Sequence, residues 1–174
     1  GDLIKGIIIQ SGNDACIVAA ENIAGSEEDF ARAMNDKAQK MGMHNSSFAN
    51  ATGWPHTDQR MSVEDLAILA RAIIKEFPEY YPIFSERNFT HNKIKQGNRN
   101  PLLYSMPEAD GLKTGHTEEA GFCLTGSAKR GDRRLIGVMS GLSSNKERSE
   151  EAEKIMNWGF REFDNYKMLK QGQK

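Results

Sequence analysis

The chain has 174 residues, of which 38% are hydrophobic and 27% are charged. This composition fits one globular domain and argues against a disordered or fibrous chain. Its 23 Lys and Arg residues nearly balance its 24 Asp and Glu residues, so charge gives no reason to expect nucleic acid as a partner. No apolar run reaches the roughly 18 residues that a transmembrane helix needs.

The first part of the chain predicts helices. Residues 3–24 have helical apolar spacing on both sides of a polar break, Ser11-Gly12-Asn13. This pattern predicts two helices joined by a tight turn. Residues 27–41 predict a third helix, because Ser26 can cap its start and acidic residues fill its first turn.

The middle of the chain alternates between loops and short elements. Residues 45–59 are rich in Ser, Asn, Thr and Gly and predict a loop, and residues 62–78 predict a capped amphipathic helix that ends at a proline. Residues 88–95 have the alternation of polar and apolar side chains that is typical of either an edge strand or a hairpin. Residues 98–110 are expected to be irregular.

The last third predicts a sheet and a closing helix. Residues 111–115, 122–129 and 134–141 read as three strands with short connections, which favour antiparallel pairing. Residues 145–163 predict an amphipathic helix. Helices followed by an antiparallel three-strand meander and a helix form an α+β pattern. Three strands are few for so many apolar helices, so we expect part of the sheet to lie outside this sequence.

Two short motifs could carry chemistry. Ser11-x-Asn13 alone is common, and a turn or helix cap would explain it. Lys113-Thr114-Gly115 is rarer by chance. Their combination, with the second motif on a strand about a hundred residues after the first, matches two of the three motifs of the active-site serine enzymes that recognise penicillin.

Beyond these motifs, the chain resembles the serine D-alanyl-D-alanine carboxypeptidases, which are low-molecular-mass penicillin-binding proteins. The segments that carry the resemblance are residues 9–15, 98–100, 110–117, 134–136 and 158–161. It implies the transpeptidase-like fold shared with β-lactamases and removal of the terminal D-alanine from peptidoglycan stem pentapeptides through an acyl-enzyme. It also implies β-lactam antibiotics as inhibitors and a periplasmic location at the outer face of the bacterial inner membrane.

The resemblance assigns catalytic roles to three residues. Ser11 would relay a proton toward the leaving amine, since a hydroxyl both donates and accepts hydrogen bonds. Asn13 would hold the amide carbonyl of the substrate and steady the catalytic lysine. Lys113 would place a positive charge beside the nucleophile and the substrate carboxylate.

Four further residues are predicted to bind substrate. Thr114 would hydrogen-bond the terminal carboxylate, and Gly115 would let the strand lie against the bound peptide. His116 would shape the carboxylate site, unless it is a solvated surface residue. Arg148 would grip the carboxylate, unless it is an exposed partner on the last helix. Arg99 matches a position near the cleft mouth in the family, where we prefer a structural role.

The nucleophile is the main departure from the family pattern. Its Ser-x-x-Lys motif should precede Ser11 by some tens of residues, and the one formal match, Ser143 to Lys146, follows Lys-Thr-Gly instead. We therefore expect residues 1–174 to be a single partial catalytic domain, inactive alone, with the nucleophile supplied by a preceding segment or a separate chain. We likewise expect the β-rich domain that follows residues 167–174 in the family to lie outside this sequence.

Two alternatives remain from the sequence. A class A β-lactamase relative ranks lower because no Glu-x-x-Leu-Asn segment lies between the two motifs. A non-catalytic chain that binds peptidoglycan or completes a partner would use the same residues without a nucleophile. A zinc peptidase is disfavoured because the four histidines lack ligand spacing. The sequence predicts no metal or other cofactor. Cys16 and Cys123 form no CxxC pair and are expected to be buried free thiols.

Overall fold

The computed structural model describes residues 1–166. Within that part of the chain, six α-helices and one 3₁₀ helix accompany two antiparallel sheets. The helices are α1 (Asp2–Gln10), α2 (Asn13–Ala24), α3 (Glu27–Met41), α4 (Val63–Glu76), the 3₁₀ helix (Tyr81–Ser85), α5 (Leu102–Ser105) and α6 (Asn145–Glu162); the strands are β1 (Asn88–His91), β2 (Ile94–Gly97), β3 (Ala109–Thr117), β4 (Gly121–Arg130) and β5 (Arg133–Leu142). The predicted domain boundary at residues 167–174 lies outside the described residues.

Serine caps set the starts of two predicted helices. The Ser26 hydroxyl accepts a hydrogen bond of 3.0 Å from the Asp29 backbone N–H at the start of α3. Ser62 does the same for the Asp65 backbone N–H at the start of α4, also at 3.0 Å. Such caps satisfy a backbone N–H that the helix itself cannot, and each stabilises by about 1 kcal/mol. Both helices begin where the sequence predicts.

The larger sheet has the order β3-β4-β5 with antiparallel pairing throughout. This confirms the predicted α+β class and the three-strand meander, although each strand extends one or two residues beyond its predicted ends. β4 is the central strand, and α6 packs on β4 and β5. β3 pairs with β4 on one side only among the described strands, so its other edge is open.

A hydrophobic core joins β4 to α5 and α6. Its fully buried members include Leu102, Leu124, Ala152 and Met156, which leave at most 2% of their surfaces exposed. Gly126 lies within this core: a Cβ there would come within 2.6 Å of a Leu102 methyl. Since β3 hydrogen-bonds to β4, the core also positions β3.

The Leu124→Ala variant of the intact protein is expected to lose about 2–5 kcal/mol of its free energy of unfolding, because the substitution leaves a cavity in a close-packed core. Chemical denaturation measures this loss. Ile23→Ala is the matched control, since Ile23 is 73% exposed and its truncation should cost little. Equal destabilisation of the two variants would contradict this core.

A polar network anchors the start of β3. Arg134 forms a bidentate ion pair with Asp110, with both N–H···O distances at 2.7 Å. The Tyr81 hydroxyl donates to Asp110 at 2.7 Å, and Arg134 also donates to Ser127 at 2.6 Å. Burial raises the pKa of Tyr81 well above its ordinary range. The network therefore joins three strands and the 3₁₀ helix just before Lys113.

The structure corrects or completes several predictions. Residues 98–110 are not wholly irregular, because they contain α5 and the start of β3. Residues 88–97 form a hairpin rather than a lone edge strand. Cys16 and Cys123 are free, as predicted, but only partly buried. No helix among the described residues has both the length and the apolar character needed to span a membrane.

Candidate active site

The junction between α1 and α2 presents Ser11. Ser11 adopts a left-handed backbone conformation, with φ of 58°, immediately after α1. The Gly12 backbone N–H donates to the Gly6 carbonyl at 3.1 Å, which closes the end of the helix, and Asn13 then begins α2. The left-handed conformation is energetically unfavourable for residues other than glycine. Backbone strain of this kind concentrates at functional sites.

Lys113, on strand β3, contacts the junction between α1 and α2. Its Nζ donates a hydrogen bond of 2.7 Å to the Ser11 Oγ and one of 2.8 Å to the Thr114 carbonyl oxygen. A lysine ammonium has three N–H donors, so one remains for another acceptor. The two sequence motifs, 102 positions apart, therefore meet at one point, which we call the Ser11–Lys113 site.

Helix α2 supplies the neighbouring groups. Asn13 is half-buried, and its side-chain amide has no hydrogen-bond partner among residues 1–166, so it can both donate to and accept from a bound molecule. Cys16 follows one turn later. Burial raises the pKa of the Cys16 thiol, while the nearby positive charge of Lys113 opposes the shift. Lys113 thus lies close enough to α2 for its charge to act on Cys16.

Three positive charges converge on the site. Burial, together with the positive charge of Arg99, lowers the pKa of Lys113 to about 8. Burial and the charge of Arg99 also lower the pKa of Arg148. None of these three side chains forms an ion pair within residues 1–166. A cluster of uncompensated positive charges in a partly desolvated region favours binding of an anion.

Arg148 is fixed beneath β3 and β4. It leaves 7% of its surface exposed and donates to the Asn145 side-chain oxygen at 2.6 Å. It also donates to the Gly115 and Cys123 carbonyl oxygens, both at 3.4 Å. Its Nε is buried and has no partner in the described part of the chain. The alternative of an exposed partner on the last helix is therefore wrong.

The remaining predicted residues follow Lys113 along β3. Thr114 is nearly buried, with 9% of its surface exposed, whereas Gly115 and His116 are exposed. The His116 ring packs on Phe122, with 4.0 Å between ring centroids. His116 is therefore an ordered side chain rather than a freely solvated one. Both rings border an open hollow of about 340 Å³ at this end of the strand.

Comparisons with known proteins identify the family. Residues 1–144 match the family model for D-alanyl-D-alanine carboxypeptidase. The chain belongs to this family. It is 46% identical to the D-alanyl-D-alanine carboxypeptidase DacC of Escherichia coli, over 97% of this chain and 42% of that protein.

Solved structures of two relatives show the same fold. The carboxypeptidase DacD from Francisella tularensis matches with a TM-score of 0.94 at 30% identity, over 99% of this chain and 54% of that one. Penicillin-binding protein D2 from Listeria monocytogenes in a cefotaxime-bound form matches with a TM-score of 0.85 at 34% identity, over 92% of this chain and 66% of that one. The predicted penicillin-binding protein fold is confirmed. The chain spans less than half the length of the curated relative it matches.

The formal Ser-x-x-Lys match has the wrong surroundings for a carboxypeptidase nucleophile. The Ser143 hydroxyl donates to the Glu147 carboxylate, and Lys146 pairs loosely with Glu150 at 3.9 Å. Ser143 thus faces an acid at the start of α6 rather than the lysine base that would activate it.

The structure corrects the structural role predicted for Arg99, because this side chain is exposed. The structural work is done by its neighbours: the buried Asn98 donates to the Glu86 carbonyl at 3.0 Å, and the buried Asn100 accepts from the Leu102 N–H at 3.1 Å. Arg99 itself is exposed, and its charge acts on Lys113. The alternation Asn-Arg-Asn in an extended segment was the signal that could have placed Arg99 outward.

The pH profile of the intact protein is expected to report Lys113. Because its pKa lies at about 8, the ammonium loses its charge as the pH rises through that value. Where a reaction at this site needs the charged form, kcat/KM falls above pH 8, since kcat/KM reports groups of the free enzyme. Any residual activity of the Lys113→Arg variant should show no such decline, because a guanidinium stays charged. A decline retained in that variant would contradict the assignment.

Proposed function

We propose that this chain forms part of a serine D,D-carboxypeptidase that removes the terminal D-alanine from peptidoglycan stem pentapeptides. The observation that carries the proposal is the 2.7 Å hydrogen bond from Lys113 to Ser11, made beside positive charges that have no acidic partner in residues 1–166. A site of this kind suits a substrate that ends in a free carboxylate and must receive a proton when its peptide bond breaks.

Substrate binding would use the open edge of β3. The peptide would add alongside this strand, where Gly115 has no side chain to obstruct it. Its terminal carboxylate would accept from the Thr114 hydroxyl within the positive field of Arg148 and Lys113, with His116 bordering this end of the site. The free side-chain amide of Asn13 would hold the amide carbonyl next to the scissile bond.

Proton transfer would run through Ser11. A nucleophilic serine passes its hydroxyl proton to its own lysine base and attacks the carbonyl carbon of the penultimate D-alanine, and the bond to the terminal D-alanine nitrogen breaks. The Ser11 hydroxyl gives its proton to that nitrogen, and Lys113, which already donates to the Ser11 Oγ, replaces it. The products are free D-alanine and an acyl-enzyme, which water then hydrolyses.

We place the nucleophile and its lysine base outside residues 1–174, on a segment of the same protein or on a separate chain. Residues 1–174 would then be one partial catalytic domain, and alone they should have no activity. Loss of a nucleophile typically removes several orders of magnitude of catalysis and leaves only binding terms.

We also propose that β-lactams acylate the same nucleophile and that the protein acts in the periplasm, where its polymer substrate lies. The cefotaxime-bound form of the Listeria relative supports the first point. The bacterial carboxypeptidases among the relatives support the second.

The test is D-alanine release by the intact protein from a synthetic peptide ending in D-Ala-D-Ala, with the matching L-Ala-L-Ala peptide as the control. The proposal predicts release from the first peptide only and its loss after treatment with penicillin. No release from either peptide, combined with retained binding to peptidoglycan, would instead identify a non-catalytic binding chain.

A further inference from the structure

The segment from residue 87 to residue 107, which contains the β1–β2 hairpin, carries positive charge only. Arg87, Lys93, Lys95 and Arg99 are all exposed, and no acidic residue occurs from residue 87 to residue 107. Over the whole chain the 23 basic and 24 acidic residues nearly cancel, so this segregation is a local feature. We call these four side chains the basic strip.

The acidic residues that flank the strip in sequence already have partners. Glu86 pairs with Lys5 at 2.8 Å, and Glu108 pairs with Arg130 at 3.1 Å. Within residues 1–166, no side chain of the strip takes part in an ion pair. The positive field of the strip is therefore uncompensated and faces solvent.

The strip continues into the Ser11–Lys113 site. The hairpin packs against α1, whose end carries Ser11, and the Lys5–Glu86 pair ties α1 to the segment just before the hairpin. At the other end of the strip, the charge of Arg99 acts on Lys113. A polyanion held at the Ser11–Lys113 site therefore has a positively charged surface next to it.

We propose that the basic strip binds further carboxylates of the peptidoglycan, so that the intact enzyme prefers polymeric, polyanionic substrate to short peptides. This inference rests on the proposed carboxypeptidase function and names the form of substrate that the site selects. An anionic membrane has similar charge, but the continuity of the strip with the Ser11–Lys113 site favours the substrate. Fields of this kind raise local substrate concentration and association rates, and salt screens them.

The experiment compares two substrates of the intact protein: pentapeptide-rich peptidoglycan sacculi, and diacetyl-L-lysyl-D-alanyl-D-alanine, whose only charge is its terminal carboxylate. Charge is reversed on the hairpin with the Lys93→Glu/Lys95→Glu variant. The matched control is Lys37→Glu/Lys40→Glu on α3, which makes the same change in net charge at exposed positions.

At low ionic strength, the hairpin variant should release D-alanine from sacculi about tenfold more slowly than wild type. Its rate on the short peptide should be unchanged, and high salt should narrow the difference on sacculi. The control variant should match wild type on both substrates.

Three results would overturn the inference: equal loss on both substrates, equal loss in the control variant, or no loss on sacculi. Binding of wild type but not the hairpin variant to phosphatidylglycerol vesicles, with unchanged hydrolysis of sacculi, would reassign the strip to a membrane. If wild type releases no D-alanine from the short peptide, the proposed function itself fails and the inference falls with it.

Discussion

The Lys113→Ala variant of the intact protein is expected to release D-alanine about 10³-fold more slowly than wild type, measured as kcat/KM. The lysine donates to the Ser11 Oγ and the Thr114 carbonyl and, in the proposed mechanism, resupplies the proton that Ser11 gives to the leaving amine. Loss of a positioned proton donor or of preorganised charge costs about 10² to 10⁴ in rate. Acylation by a fluorescent penicillin should slow as well.

Lys129→Ala is the matched control for this loss. Lys129 lies on the neighbouring strand β4 and is exposed, so its removal should leave the rate within about twofold of wild type. Circular dichroism and the melting temperature must show that Lys113→Ala is folded. A folded Lys113→Ala enzyme with wild-type kinetics would exclude the proposed role of this lysine.

The second large effect is expected at Ser11. Ser11→Ala and Ser11→Gly should both lower kcat/KM for D-alanine release by about 10²-fold or more, because neither side chain can relay a proton. Their stabilities should differ. Glycine relieves the cost of the left-handed backbone at φ 58°, offset in part by its greater freedom in the unfolded chain, whereas alanine keeps that cost.

The comparison of the two variants separates catalysis from folding. Ser11→Gly should unfold at or above the denaturant midpoint of Ser11→Ala although both are impaired. Ser105→Ala, at an exposed position on α5, should behave as wild type. If kcat/KM instead rises and falls with the denaturant midpoint among these three variants, Ser11 has only a structural role at the helix junction.

Local signals were sufficient to predict most of the elements. Ser26 and Ser62 cap the helices that they predict, since a cap is satisfied within three residues. The strands extend beyond their predicted ends because polar residues there, such as Arg130 and Arg133, still pair within the sheet. At the start of β3, Asp110 is held by Arg134, 24 positions away, and no local pattern reports such a partner.

The site is formed by contacts between residues far apart in the sequence. The sequence could therefore indicate which residues belong to the site, but not how deeply each is buried or what it contacts. The pairing of Ser11 with Lys113 was expected from the resemblance to the carboxypeptidase family. The burial of Arg148 was not certain, because α6 is highly charged and its pattern also suits a solvated arginine. Packing against the Gly115 and Cys123 carbonyls decides its position. The exposure of Arg99 follows from the burial of Asn98 and Asn100 on either side of it, which the alternation Asn-Arg-Asn could have indicated.

The most direct test of the account is to identify the residue to which penicillin becomes attached. The intact protein would be labelled with a fluorescent penicillin, digested, and the acylated peptide sequenced by mass spectrometry. We predict a single adduct on a serine of a Ser-x-x-Lys motif outside residues 1–174, with labelling slowed in Lys113→Ala. An adduct on Ser11, on Ser143 or anywhere else within these 174 residues would contradict the account.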